Sequence, residues 1–233
     1  MKRKKLTASM IALVMSVSLP MTTYAANWYL EDGSVTVNAD NSGQTVTQGG
    51  GSAVPDEAPV ITQRESSVET GNTIAINASD NATANVTIKD INIKSSKDAI
   101  DVTGSSSANI TLEGDNKIFS ETGSALHISD GNVTINGSGS LKAEIQDDPS
   151  GYNHNAKIGS HENEDMSGSI HITGDATVKT DDNIASNCGG DGAGIGSGEK
   201  GEMSGTIVID GNAQVEVSSN DRGAGIGTGD DGN

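Results

Sequence analysis

Three short stretches carry residue types that could do chemistry. "GAGIGSG" at 192–198 returns as "GAGIGTG" at 223–229, and a worn copy, "AKIGS", sits at 156–160. A glycine-framed turn cradles phosphate when a strand precedes it and a helix follows, so that backbone N–H groups point at the anion. Here the motif recurs, a polar loop follows it rather than a helical period, and no GKS or GKT occurs. A corner in a structural repeat is therefore the expected role, with Ile195 and Ile226 as core residues.

The other two stretches are loops. "TDDNIASNCGGDG" contains Asp181, Asp182, Asn183 and Asp191, hard oxygen ligands of the kind calcium takes. Glu162 and Glu199 hold equivalent places in successive repeats, where a shared cation would relieve their repulsion. None of these spacings matches a twelve-residue calcium loop, so calcium and a bare solvated acidic surface both remain readings. "QDDPSGYNHN" sets Tyr152 beside Asn153 and His154, types that stack on and hydrogen-bond a sugar; an ordinary polar loop is the alternative. The single cysteine, Cys188, allows no internal disulfide, and its glycine-rich setting gives the thiol nothing to activate it.

The chain that must position these residues opens with "MKRKK", an apolar run from Ile11 to Leu19 and the small-residue stretch "TTYAA". That order is a secretory leader, expected to be cleaved after Ala25, and the apolar run is too short to span a membrane. The protein is thus expected to be secreted or held at a cell surface, with no membrane insertion after cleavage. Losing the four basic residues of the leader takes the chain from 14 basic against 32 acidic residues to ten against 32, a net charge near −22. Such a chain repels nucleic acid and anionic lipid, and it attracts cations.

Only 33% of residues are hydrophobic and 2% aromatic, a composition that can mean disorder. The apolar residues, however, fall in short alternating pairs, which disorder has no reason to produce. "IGSHENEDMSGSIHITGDATVKT" from Ile158 aligns without a gap on "IGSGEKGEMSGTIVIDGNAQVEV" from Ile195, a period of 37 residues. Tighter copies precede them, so each unit has up to three apolar stations: Val86 and Ile88, then Ile93, then Ile100; Ile110 and Leu112, then Ile118, then Leu126; Val133 and Ile135, then Leu141. The step from first to second station is six residues in four units, and the step from second to third varies. A fixed corner and a variable one are the expected result. Alternation places aliphatic side chains on one strand face, and repeated strands with glycine corners predict an all-β chain wound as a right-handed parallel β-helix, a solenoid. Residues 26–82 are expected to form an N-terminal cap with irregular first rungs, and residues 83–233 the repeated rungs.

These residues resemble exported bacterial β-helix proteins that carry "GAGIG" repeats followed by a glycine-rich loop and an "I-x-I-x-G-G-x-V" strand pair. The match lies at Gly192 to Gly196, Gly205 to Val215 and Gly168 to Val178. "GNTIAINASDNATANVTIKDINIKSSKDAIDV" is similar to the first rungs of a clostridial carbohydrate-binding β-helix domain. The resemblance implies binding of cellulose or pectic polymers, with calcium as cofactor. The sequence departs from the pattern at Lys157, at corners one residue longer, and at its end, "GAGIGTGDDGN", soon after a third station. An edge left there is expected of a fragment of a longer protein, or is guarded by the acidic tail alone.

The expected function is non-catalytic binding of a polysaccharide or cell-surface glycan. The alternatives are a pectin-active lyase or hydrolase, and a structural stalk or adhesin fragment. A lyase would use a basic residue beside a calcium–carboxylate cluster, and the arginines beyond the leader are only Arg64 and Arg222, though a lysine such as Lys179 would also serve. A hydrolase would use a close carboxylate pair on a strand face.

Overall fold

The computed structural model describes residues 25–79, 81–103, 105, 107–148, 151–181, 190–219 and 222–232, without the side chains of 147, 148, 151 and 152. Most of the expected leader therefore lies outside the described residues. Among the described residues, the chain is almost entirely strand, with one 3-10 turn at Leu30–Asp32, and no helix is long and apolar enough to cross a membrane.

Three long parallel sheets carry the architecture. The first contains Asn27–Tyr29, Val60–Thr62, Thr83–Lys89, Ser107–Glu113, Asn132–Gly137, Ser169–Ile172 and Thr206–Ile209. The second contains Asn92–Ser95, Asp115–Ser120, Ser140–Ile145, Thr177–Thr180 and Gln214–Val217. The third runs from Val35–Asp40 through Ile74–Ala78, Ile100–Thr103, Leu126–Ile128, Ile158–Gly159 and Ile195–Gly196 to Ile226–Gly227, and Gly43–Gln48 and Val54–Pro55 add antiparallel strands at its other edge. From Thr83 onward the chain visits the sheets in that order and returns one strand further along each time. Ile88, Ile93 and Ile100 of one circuit, and Ile172, Val178 and Ile195 of later ones, are all buried in one apolar core.

The 37-residue alignment is reproduced in the pairing: Ile158 lies beside Ile195, Ile170 beside Ile207 and Val178 beside Val215. One circuit does not stack as its spacing suggests. Ile110 pairs with Ile135, not Val133, and Leu141 pairs with Asn116, while Ile118 faces Ala143. The strand has slipped by two residues. A slip of two preserves which side chains point inward, because the strand period is two, so the core stays apolar. Asn116 points inward at either register and is buried, satisfied by donating to the Glu113 and Ser140 carbonyls and accepting from the Ile91 N–H.

The fixed corner between first and second sheets takes left-handed backbone, at Gly114 (φ 61), Gly174 (φ 73) and Gly211 (φ 66), with Asp90 (φ 50) serving the shorter corner. The repeated glycine–isoleucine motif has a different reason. A Cβ on Gly159 would lie 1.8 Å from the Gly196 carbonyl oxygen, and one on Gly196 would lie 1.7 Å from that of Gly227. Successive turns press backbone against backbone there. The Ile158, Ser160, Ile195 and Ser197 N–H groups donate to carbonyls of the following turn at 2.9 to 3.1 Å, so they are spent on the stack and offer a phosphate nothing. Ile226 departs from expectation: it is 46% exposed, because its strand ends the third sheet and no further described strand covers it.

Candidate functional site

The outward face of the second sheet gathers four lysines of an acidic chain, interleaved with Asp115, Glu144 and Glu216 and flanked by Glu69 and Asp181. Outward positions alternate with the core residues Ile118, Ala143 and Val178, and register aligns Lys117 with Lys142, Lys142 with Lys179, and Lys179 with Glu216. Beside this column, Phe119 pairs with Lys94 on one side and Glu144 on the other. Four of the ten basic residues beyond residue 25 thus share one face. In-register strands are about 4.8 Å apart, and like charges at that spacing repel. Lys142 is relieved by Glu144 at 2.9 Å and Asp181 at 3.3 Å, and Lys179 by Glu216 at 3.2 Å. The hydrogen bond to Glu144, with that to Asp181, holds the Lys142 ammonium above the ordinary lysine range. Among the described residues Lys117 has no ion-pair partner. An open groove of about 490 Å³ runs along this face, lined by Asn92, Lys94, Lys117, Phe119, Lys142 and Glu144. The Lys94 ammonium stands 5.4 Å from the centre of the Phe119 ring.

The stripe escaped the sequence reading because Lys117 precedes its apolar station whereas Lys142 and Lys179 follow theirs. The two-residue slip brings them into one column. A pattern search allowing shifts of two would have found it.

The residues singled out from sequence are placed as follows. The Tyr152 side chain and all of Asp182, Asn183 and Cys188 lie outside the described residues. Asn153 is buried, its amide nitrogen donating to the Gly123 carbonyl and its oxygen accepting from Asn155, so it latches the loop to the preceding turn. Asp181 sits against Lys142 and Lys179. Glu162 and Glu199 do stack on neighbouring turns, but the ammonium of Lys200 lies between them, 3.6 Å from Glu162 and in contact with Glu199. A lysine therefore already answers the repulsion for which a shared cation was expected. His154, Asp191 and Glu199 converge, placing one ligating atom each within 4.8 Å of one another. Burial raises the Asp191 carboxyl above its usual range, and the charge on Glu199 adds to this.

A second histidine cluster had no sequence signal beyond two histidines near third stations. His127 places Nδ1 2.8 Å from Asp101 and Nε2 2.8 Å from Glu164, so both nitrogens donate and the ring is an imidazolium. Burial alone would lower its pKa, but these two bonds outweigh it and lift it to about 10. His161 stacks on His127 with ring centres 3.9 Å apart and bonds Asp98 at 2.7 Å. Asp98, Asp101, His127, His161 and Glu164 come from three successive turns, and their bonds staple those turns together.

No family model matches the chain, and neither a curated protein nor a solved structure matches it.

Proposed function

We propose that this protein is an exported, non-catalytic right-handed parallel β-helix that binds an acidic polysaccharide at the cell surface, along the second sheet. The observation that carries this reading is the in-register column Lys117, Lys142, Lys179 beside Phe119 in an otherwise strongly acidic chain. A polymer of uronic acid units repeats its carboxylates along its length; these would contact Lys117 directly and compete with Glu144, Asp181 and Glu216 for Lys142 and Lys179. Phe119 supplies an apolar surface for a sugar ring. The cyclic visit to three parallel sheets supports the helical winding, and right-handed crossovers between parallel strands are the strong rule. Calcium would serve by bridging the remaining acids of the protein to carboxylates of the polymer, since a chain this acidic otherwise repels a polyanion outside the stripe.

The experiment is binding to an array of acidic and neutral plant and bacterial polymers, with and without calcium. Selective retention on acidic polymers, with their length unchanged, is expected. Phe119→Ala should weaken that retention about tenfold, the cost of roughly one aromatic contact. Equal retention on neutral polymers would refute the stripe. Shortening of the polymer would replace the binding reading by the lyase one, for which the Lys117 ammonium, without an ion pair among the described residues, would be the first group to test.

A further inference from the structure

We infer that His154, Asp191 and Glu199 form a site for one divalent cation of the zinc class, ligated by an imidazole nitrogen and two carboxylates from adjacent turns of the stack. The inference is independent of the polysaccharide reading, and the site shares no residue with the lysine stripe.

The three side chains are brought together by backbone packing. Gly190 lies on Asn153, where a Cβ would come within 1.8 Å of its carbonyl oxygen, and Gly192 lies on Asn155, where the same distance would be 2.2 Å. This seats Asp191 over His154. The Glu199 N–H donates to the His154 carbonyl at 2.9 Å, which returns the corner after the third sheet to the same place. The side chains are 25%, 16% and 11% exposed for His154, Asp191 and Glu199, so the site is largely desolvated yet open on one side.

Donors and acceptors at this site contrast with those around His127. There, two nitrogens meet two carboxylates and two protons satisfy all four groups. At His154 the contacts meet on Nδ1, which touches Glu199 Oε2, lies 3.7 Å from Asp191 Oδ2 and stands 3.3 Å from the Asp191 backbone nitrogen. That nitrogen holds either one proton or one lone pair: protonated, it serves only one of the two carboxylates beside it, and deprotonated, it meets both with a lone pair. A cation held among the three resolves that convergence. Lys200 engages Glu199 Oε1, leaving Oε2 for the site. One nitrogen and two oxygen ligands suit zinc, with water completing four-coordination, whereas calcium takes six to eight oxygens and rarely an imidazole.

The test uses the full chain, stripped with a chelator and titrated with zinc by calorimetry, and with cobalt(II) by visible absorption. One zinc per chain is expected, with cobalt giving the intense bands of a four-coordinate site, and a hundredfold excess of calcium failing to displace either. His154→Ala and Glu199→Gln should each weaken zinc binding by at least about tenfold, whereas His171→Ala, on the first sheet, should leave it unchanged. Circular dichroism of the metal-free variants separates lost ligation from lost folding. The inference is overturned if wild type binds no zinc, if calcium competes on equal terms, or if folded His154→Ala binds zinc as wild type does.

Discussion

Ile195→Asp is expected to destabilise the fold by about 3–5 kcal/mol, the cost of a buried charge without a partner. Ile195 is fully buried and pairs with Ile158 on one side and Ile226 on the other, so the carboxylate would interrupt the third aliphatic ladder. Its neighbours in the core are valine, isoleucine, leucine and alanine, with Met166. Lys89→Ala is the matched control. Lys89 pairs with Glu113 at 3.1 Å on the exposed face of the first sheet, and an exposed pair contributes at most about 1 kcal/mol. Urea unfolding followed by far-ultraviolet dichroism should separate the two clearly; equal effects would mean that Ile195 does not face the core.

The second effect is expected at His127, where His127→Leu should cost about 1–2 kcal/mol by leaving Asp101 and Glu164 without their shared cation, less than for a fully buried pair because both carboxylates are about a third exposed. Its pH dependence has a defined sign. The His127 pKa is raised from 6.5 to about 10, so its contribution is whole below pH 6.5 and is lost as pH rises through 10. Glu164 is lowered from 4.5 to about 2, first by the His127 hydrogen bond, so its contribution is whole above pH 4.5 and is lost as pH falls toward 2. Both describe one contact and are counted once. The difference in melting temperature between wild type and His127→Leu should therefore be widest between pH 4.5 and 6.5 and narrow on both sides. A difference that stays constant from pH 3 to pH 10 would mean that His127 carries no charge in the fold.

What could be read from the sequence follows from period. Ile158 and Ile195, Ile170 and Ile207, and Val178 and Val215 declare their pairing because an ungapped repeat fixes register. The inward residues of the tighter copies are equally plain, since alternation alone determines the face. Register between unlike copies is not plain, because inward parity survives a shift of two. That shift put Asn116 beside Leu141 and Lys117 in line with Lys142.

The candidate site was legible only in fragments. His154, Asp191 and Glu199 were each noticed, but for two different ligands, because nothing local shows that the corner after the third sheet bonds back to the loop before it. Asn153 looked like a surface amide and is a buried latch. Lys200 sits at a left-handed corner (φ 62), and its reach across both glutamates is a property of the stacked turns, not of its neighbours in sequence.

Calorimetric titration of a polyuronate oligosaccharide into wild type and Lys117→Glu, at two salt concentrations, tests the lysine stripe most directly. Lys117 is exposed to the groove and makes no ion pair among the described residues, so the reversal should leave folding intact. Binding by wild type that weakens with salt, and at least about tenfold weaker binding by Lys117→Glu, worth roughly 1.4 kcal/mol, is the expected result. Equal affinity in the two proteins, or no binding by either, would contradict it.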